Sequence, residues 1–131
     1  MTSYFVDTSA WYDLVDGSTP LHSEVAQRAA DARLLVTTTF IPHELTALLV
    51  SRSYWRAAEQ AGEHIRASPM VRLVHPTGEE EDRAWHLFLE RRDKTYSLTD
   101  CLSFVVMRRL RLTTALATES HFVQEGFDVV P

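Results

Sequence analysis

The chain has 131 residues, 45% hydrophobic and 24% charged, which is the size and make-up of one globular domain spanning 1–131 and too little for two. Its 13 basic and 18 acidic residues leave a net charge of -5, which excludes a domain that holds nucleic acid chiefly through a broad positive surface. The single Cys101 excludes an internal disulfide and the paired-cysteine spacing of zinc and redox sites, and it fits a reducing cytoplasm.

The chain opens with Tyr4-Phe5-Val6, a β-prone apolar run stopped by Asp7-Thr8-Ser9, residues that favour a helix cap, so a strand followed by a helix is expected. Thr19-Pro20 has the form of a capping residue before a first-turn proline and predicts a helix to about Ala32. Arg33 to Thr37 reads as a second buried strand. Pro42 near a helix start, with Ile41, Leu45, Leu48 and Leu49 at helical spacing, predicts a helix to about Ser51, and another runs from Tyr54 to Ala67. Val71 to Val74 is a short strand. Thr77-Gly78-Glu79-Glu80 has the pattern of a capping box, opening a helix that carries Trp85, Leu87 and Phe88. Polar residues from Arg91 to Thr95 form a loop. A helix from Ser97 to about Arg109 is apolar on most sides, as a helix buried between neighbours would be. A strand at Leu112–Ala117, a helical turn at Ser120–Gln124 and a strand at Phe127–Val130 follow.

No apolar run approaches the roughly 18 residues of a membrane span. The Met1-Thr2-Ser3 opening lacks a basic-then-apolar secretory pattern. The 4 glycines stand too far apart for a dinucleotide or Walker phosphate loop. Strands separated by helices imply mainly parallel pairing, so the expected fold class is α/β in a single domain.

Sites in open parallel sheets lie beyond the carboxyl ends of the strands. Asp7 follows the first strand and Glu119 follows the strand ending near Ala117. Each alone is equally well read as a helix-capping acid. Two further acids sit where a helix is apolar. At 100° per residue, Glu44 lies about 40° from Leu48, on the edge of an apolar stripe, and Asp100 lies roughly 40° from Phe104. Asp100 also fits the far end of a capping box begun by Ser97. Carboxylates gathered in one partly buried cleft repel one another unless a cation compensates. All-oxygen ligation suits Mg²⁺ or Mn²⁺, which activates water and stabilises a leaving oxygen. If the four acids converge, the chemistry expected is metal-dependent phosphoryl transfer.

Val6-Asp7-Thr8-Ser9-Ala10, Pro42-His43-Glu44-Leu45, Ser97-Leu98-Thr99-Asp100-Cys101 with its apolar continuation, and Ala117-Thr118-Glu119-Ser120-His121-Phe122 resemble, in order and spacing, the PIN domain family. The likeness is to its VapC-like ribonucleases of toxin–antitoxin pairs and covers nearly the whole chain. It implies an α/β/α domain around a parallel sheet, an acidic pocket for one or two Mg²⁺ or Mn²⁺ ions, and endonucleolytic cleavage of RNA by metal-activated water. Carried over by position, Asp7, Glu44, Asp100 and Glu119 are the metal-binding and catalytic acids. Thr8 or Ser9 is the hydroxyl beside the first acid, and Thr99 and Ser103 orient Asp100. Glu119 stands where the family usually has Asp. Its extra methylene extends its reach at a cost in rotamer entropy, which implies a second ion held weakly or through water. The resemblance also implies a homodimer, a cognate antitoxin that covers the pocket, and a cytoplasmic place of action.

Arg91, Arg92 and Lys94 are candidates for gripping an RNA backbone, or a solvated loop. Arg108 and Arg109 are read as complements to a helix dipole. His121 is read as packed or hydrogen-bonded rather than as a chemical group, Cys101 as a small core residue, and Trp11 as core or interface packing. Two alternatives stay open: a catalytically impaired PIN-like module that binds RNA or a protein without turnover, and a phosphoacceptor receiver domain. The latter needs a lysine after a late strand, whereas the only lysine, Lys94, precedes a helix.

Overall fold

In the computed structural model, which describes residues 2–131, twelve elements follow one another; of the expected domain 1–131, Met1 lies outside the described residues. They are β1 (Ser3–Val6), α1 (Thr8–Val15), α2 (His22–Asp31), β2 (Leu34–Thr38), α3 (Phe40–Ser51), α4 (Trp55–Ala67), β3 (Val71–Val74), α5 (Gly78–Glu90), α6 (Leu98–Arg109), β4 (Thr114–Leu116), α7 (His121–Gln124) and β5 (Asp128–Val130). The fold is α/β, as the strand–helix alternation predicts.

The strands form one sheet in the order β3-β2-β1-β4-β5, and every pairing is parallel. Phe5 is the pivot, in register with Val36 on one side and Ala115 on the other. A strand flanked on both edges and covered on both faces is apolar throughout, and Tyr4, Phe5 and Val6 are all buried. From β1 the chain steps outward to β2 and β3, then returns to place β4 on the other side of β1. Right-handed crossovers put connections made in opposite directions on opposite faces. Accordingly, α1 to α4 pack among themselves, and α5, α6 and α7 form a second group. The reversal of strand order falls between β1 and β4, so the crevice for a ligand opens at the ends of those two strands.

Two helices begin with complete capping boxes. Thr77 accepts from the Glu80 amide while the Glu80 carboxylate accepts from the Thr77 amide, and Ser97 and Asp100 do the same at α6. Beneath the site, Phe104 meets Phe122 and Tyr96 edge-on, each at 5.0 Å between centroids, and stacks on Phe127 at 5.7 Å. This cluster fixes α6 and α7 against β4, and truncating the fully buried Phe104 to Ala would cost about 3–5 kcal/mol. Cys101 is buried among these residues, which pushes its thiol up to about 11.

The proline expectation at α2 is corrected. Thr19 bonds the Asp16 carbonyl within a turn, and the helix begins at His22, after Leu21, without a side-chain cap. The strand predicted over Arg33–Thr37 runs one residue later, and the one predicted over Leu112–Ala117 shortens to Thr114–Leu116. There the partners β1 and β5 supply only a short ladder. Among the described residues no helix is long and apolar enough to cross a membrane.

Candidate active site

A cavity of about 300 Å³ opens at the carboxyl ends of β1 and β4 and is lined by all four predicted acids, Asp7, Glu44, Asp100 and Glu119, together with Thr8, Ser9, Thr95, Ser97 and His121. Asp7 reaches it because the chain leaves β1 at Val6 and turns at once into α1, with Asp7 as the helix cap. Its Oδ2 accepts from the Ser9 hydroxyl at 2.8 Å and from the Ser9 amide at 3.4 Å. The Ser9 hydroxyl also accepts from the Thr118 amide at 3.1 Å, which ties the end of β4, and so Glu119, to Asp7. Asp100 comes from the first turn of α6, where its Oδ2 caps the Ser97 amide at 2.9 Å. Glu44 projects from α3 and Glu119 from the loop after β4, and both are exposed at the rim.

The two aspartates are buried, Asp7 at 3% exposure and Asp100 at 7%; among the described residues no lysine or arginine bonds to either, and the basic group in contact with Asp100 is the His121 ring. Burial, partly offset by the Ser9 hydrogen bond and reinforced by the charges of Asp100 and Glu119, pushes the Asp7 carboxyl up to about 7. Thr8 also lines the cavity, and its hydroxyl is buried with no hydrogen-bond partner among the described residues. Four carboxylates that share one cavity with no lysine or arginine among the described residues are donors that fit a hard divalent cation. Among the described residues, no three His, Cys, Asp or Glu side chains are gathered closely enough to hold an ion by themselves.

Several expected roles are reassigned. Ser103 is fully buried and donates to the Thr99 carbonyl at 3.0 Å, a bond within its own helix. Neither Ser103 nor Thr99 lines the cavity, and Asp100 is held by Ser97 and by His121, whose Nδ1 lies 2.8 Å from Asp100 Oδ2. His121, expected to be packed or hydrogen-bonded, is both, against Tyr96 and with Asp100, and it also lines the cavity. Arg91 forms a two-pronged pair with Glu125 at 3.0 and 3.2 Å, so this guanidinium is already engaged. Arg92 and Lys94 are exposed, Arg92 bonding the Leu89 carbonyl and Lys94 standing 3.5 Å from Asp93. Arg108 and Arg109 make specific ion pairs with Glu125 and Glu80, beyond any effect of the helix dipole. Trp11 is buried and borders a separate, mostly apolar cavity of about 530 Å³ between α1, α2 and α4.

A family model described as PIN domain matches residues 4–124 of the chain. The 23S rRNA-specific endonuclease VapC20 of Mycobacterium tuberculosis, from strains CDC 1551 / Oshkosh and H37Rv, is 33% identical over 124 residues, covering 94% of each chain. The crystal structure of Mycobacterium tuberculosis VapC20, described as a sarcin-ricin loop cleaving toxin, superposes with a TM-score of 0.91 over 98% of this chain and 99% of that one.

Proposed function

The chain belongs to the PIN domain family, and from that premise we propose that it is a metal-dependent endoribonuclease, the toxin of a toxin–antitoxin pair, whose acids are those of the β1/β4 cavity. The observation that carries this assignment is the convergence of Asp7, Glu44, Asp100 and Glu119 on one crevice where, among the described residues, no lysine or arginine pairs with the two buried members. Asp7 and Asp100, on rigid caps, would hold Mg²⁺ or Mn²⁺, and the exposed Glu44 and Glu119 would complete the shell directly or through water. A bound ion supplies an activated water and stabilises the leaving oxygen of a phosphodiester. The protein's share is placement: Ser9 orients Asp7, and Ser97 and His121 orient Asp100.

The likeness to an endonuclease specific for 23S rRNA makes ribosomal RNA the first substrate to test. Arg92 and Lys94, exposed on the loop that leads into the site at Thr95, would meet the RNA backbone; Arg91 would hold that loop through Glu125. A homodimer, silencing by a protein antitoxin and a cytoplasmic place of action belong to the same proposal. Exposed Val50, Tyr54 and Trp55 on α3, α4 and their connection offer apolar surface for a protein contact.

The test is cleavage of ribosomal RNA by purified, antitoxin-free protein with Mg²⁺ or Mn²⁺. Activity should vanish with EDTA and in Asp7→Asn and Asp100→Asn. Equal background in all arms would leave a binding module without turnover.

A further inference from the structure

His121 opens α7, and its imidazole lies between the two halves of the acidic site. Nδ1 stands 2.8 Å from Asp100 Oδ2 and 3.7 Å from Glu119 Oε2, while Nε2 meets the Thr95 hydroxyl at 3.2 Å. A carboxylate only accepts, so Nδ1 carries the proton and donates it to Asp100. The Thr95 hydroxyl can donate or accept, and so it anchors the far nitrogen in either case. The ring is also braced by packing: it lies edge-on to Tyr96 at 5.5 Å, and Tyr96 in turn meets Phe104. The next residue, Phe122, is fully buried and locks α7 to the core.

We propose that His121 is the positioning residue of the metal site, holding Asp100 in a single rotamer and tying the Glu119 loop to α6. This rests on the assignment of Asp100 as a metal ligand. Two donors, the Ser97 amide and the His121 ring, converge on the same oxygen, Oδ2. Oδ1 accepts no hydrogen bond from any described residue and is left for an ion. The capping bond alone restrains Asp100 from one side. The ring closes the other side, against the repulsion of the unneutralised Asp7 carboxylate across the cavity. Groups that orient a ligating carboxylate from behind typically change metal affinity by about 10–100-fold when removed.

Calorimetric binding of Mn²⁺ alone, on the full chain, compares wild type with His121→Ala, His121→Asn and His121→Gln, with thermal unfolding in EDTA for each. The Asn amide nitrogen takes the place of Nδ1 and can donate the same bond, whereas the Gln amide reaches the Nε2 end. Mn²⁺ affinity should fall about 10–100-fold in His121→Ala and stay low in His121→Gln. It should return to within about threefold of wild type in His121→Asn, a bound set by the kept donor. Turnover should follow the same order through kcat, with KM for RNA little changed. Equal Mn²⁺ affinity in all four proteins, or Asn no better than Gln, overturns the proposal. Should His121→Ala not fold, the Asn and Gln pair decides it. A wild type that binds no Mn²⁺ removes the metal-ligand assignment itself, and the proposal falls with it; wild-type binding with unaffected variants removes only the role of His121.

Discussion

Asp7 and Glu80 are buried to nearly the same degree, 3% and 2% exposed, yet their carboxyls are driven in opposite directions. Burial favours the neutral form in both. At Glu80 it is overcome by the Arg109 guanidinium at 2.6 and 3.2 Å and by the Thr77 capping bonds, so that carboxyl lies below its ordinary range. Glu125 repeats the pattern: burial would raise it, and Arg91 and Arg108 bring it down. At Asp7 burial is opposed only by hydrogen bonds from the Ser9 side chain and the Thr8 backbone, and the neighbouring Asp100 and Glu119 charges are negative, so its carboxyl rises to about 7. One side of the sheet neutralises its acids with arginine and uses them to join elements. The crevice between β1 and β4 brings no arginine to its acids: Asp7 meets Ser9, and Asp100 meets Ser97 and the His121 ring.

The largest effect that would sharpen this contrast is on turnover. Asp7→Asn or Asp100→Asn should lower cleavage by about a thousandfold or more, on the order of 4 kcal/mol in barrier height. Gel assays of RNA cleavage in Mg²⁺ measure it, and residual activity within tenfold of wild type would break the assignment.

Next comes a stability change of opposite sense. Asp7 in the folded protein titrates near 7 against an ordinary 3.8, so between those pH values the folded state binds more protons than the unfolded one. Metal-free wild type therefore loses stability as pH rises through that window and stays low above it. Asp7→Asn lacks the titration, and in EDTA at pH 8 it should be more stable than wild type by on the order of 3 kcal/mol. Denaturant unfolding at pH 5 and pH 8 shows whether the gap opens with pH; a constant gap would refute it. Metal binding requires the deprotonated carboxylate, so Mn²⁺ affinity should weaken as pH falls below about 7.

On the arginine-paired side, Glu125→Ala should destabilise the fold by about 1–2 kcal/mol, because Arg91 and Arg108 are partly exposed and regain water. Mn²⁺ affinity should not change, since Glu125 does not line the acidic cavity. The smallest effect is at the rim. Glu119 has a side chain 57% exposed, and Glu119→Asp should alter Mn²⁺ affinity and cleavage by about threefold, through reach rather than charge.

Much of this was legible locally. The Thr77–Glu80 and Ser97–Asp100 boxes are three-residue patterns whose partners are set by helix geometry alone, and both formed as the residues dictate. Asp7 and Glu119 stood out because strand ends punctuate the chain visibly. Thr19-Pro20 misled because a capping pattern does not say which turn it serves, and Thr19 closed the preceding one. Ser103 differs from its expected role for another reason: its hydroxyl, four residues from the Thr99 carbonyl, bonds that carbonyl and not the Asp100 carboxylate.

The sequence by itself determined the alternation of strands and helices, the caps that start α5 and α6, and the four acids, because hydrophobic period and capping act over a few residues. Tertiary structure alone decided which polar side chains met. Glu125 took Arg91 from 34 positions away, Glu80 took Arg109 from 29, and Asp100 received His121 from 21. Those partners are chosen by the order of the strands and the packing of α5, α6 and α7. That order brings β4 beside β1 and gathers four acids at one crevice, where no lysine or arginine of the described residues pairs with the two buried members.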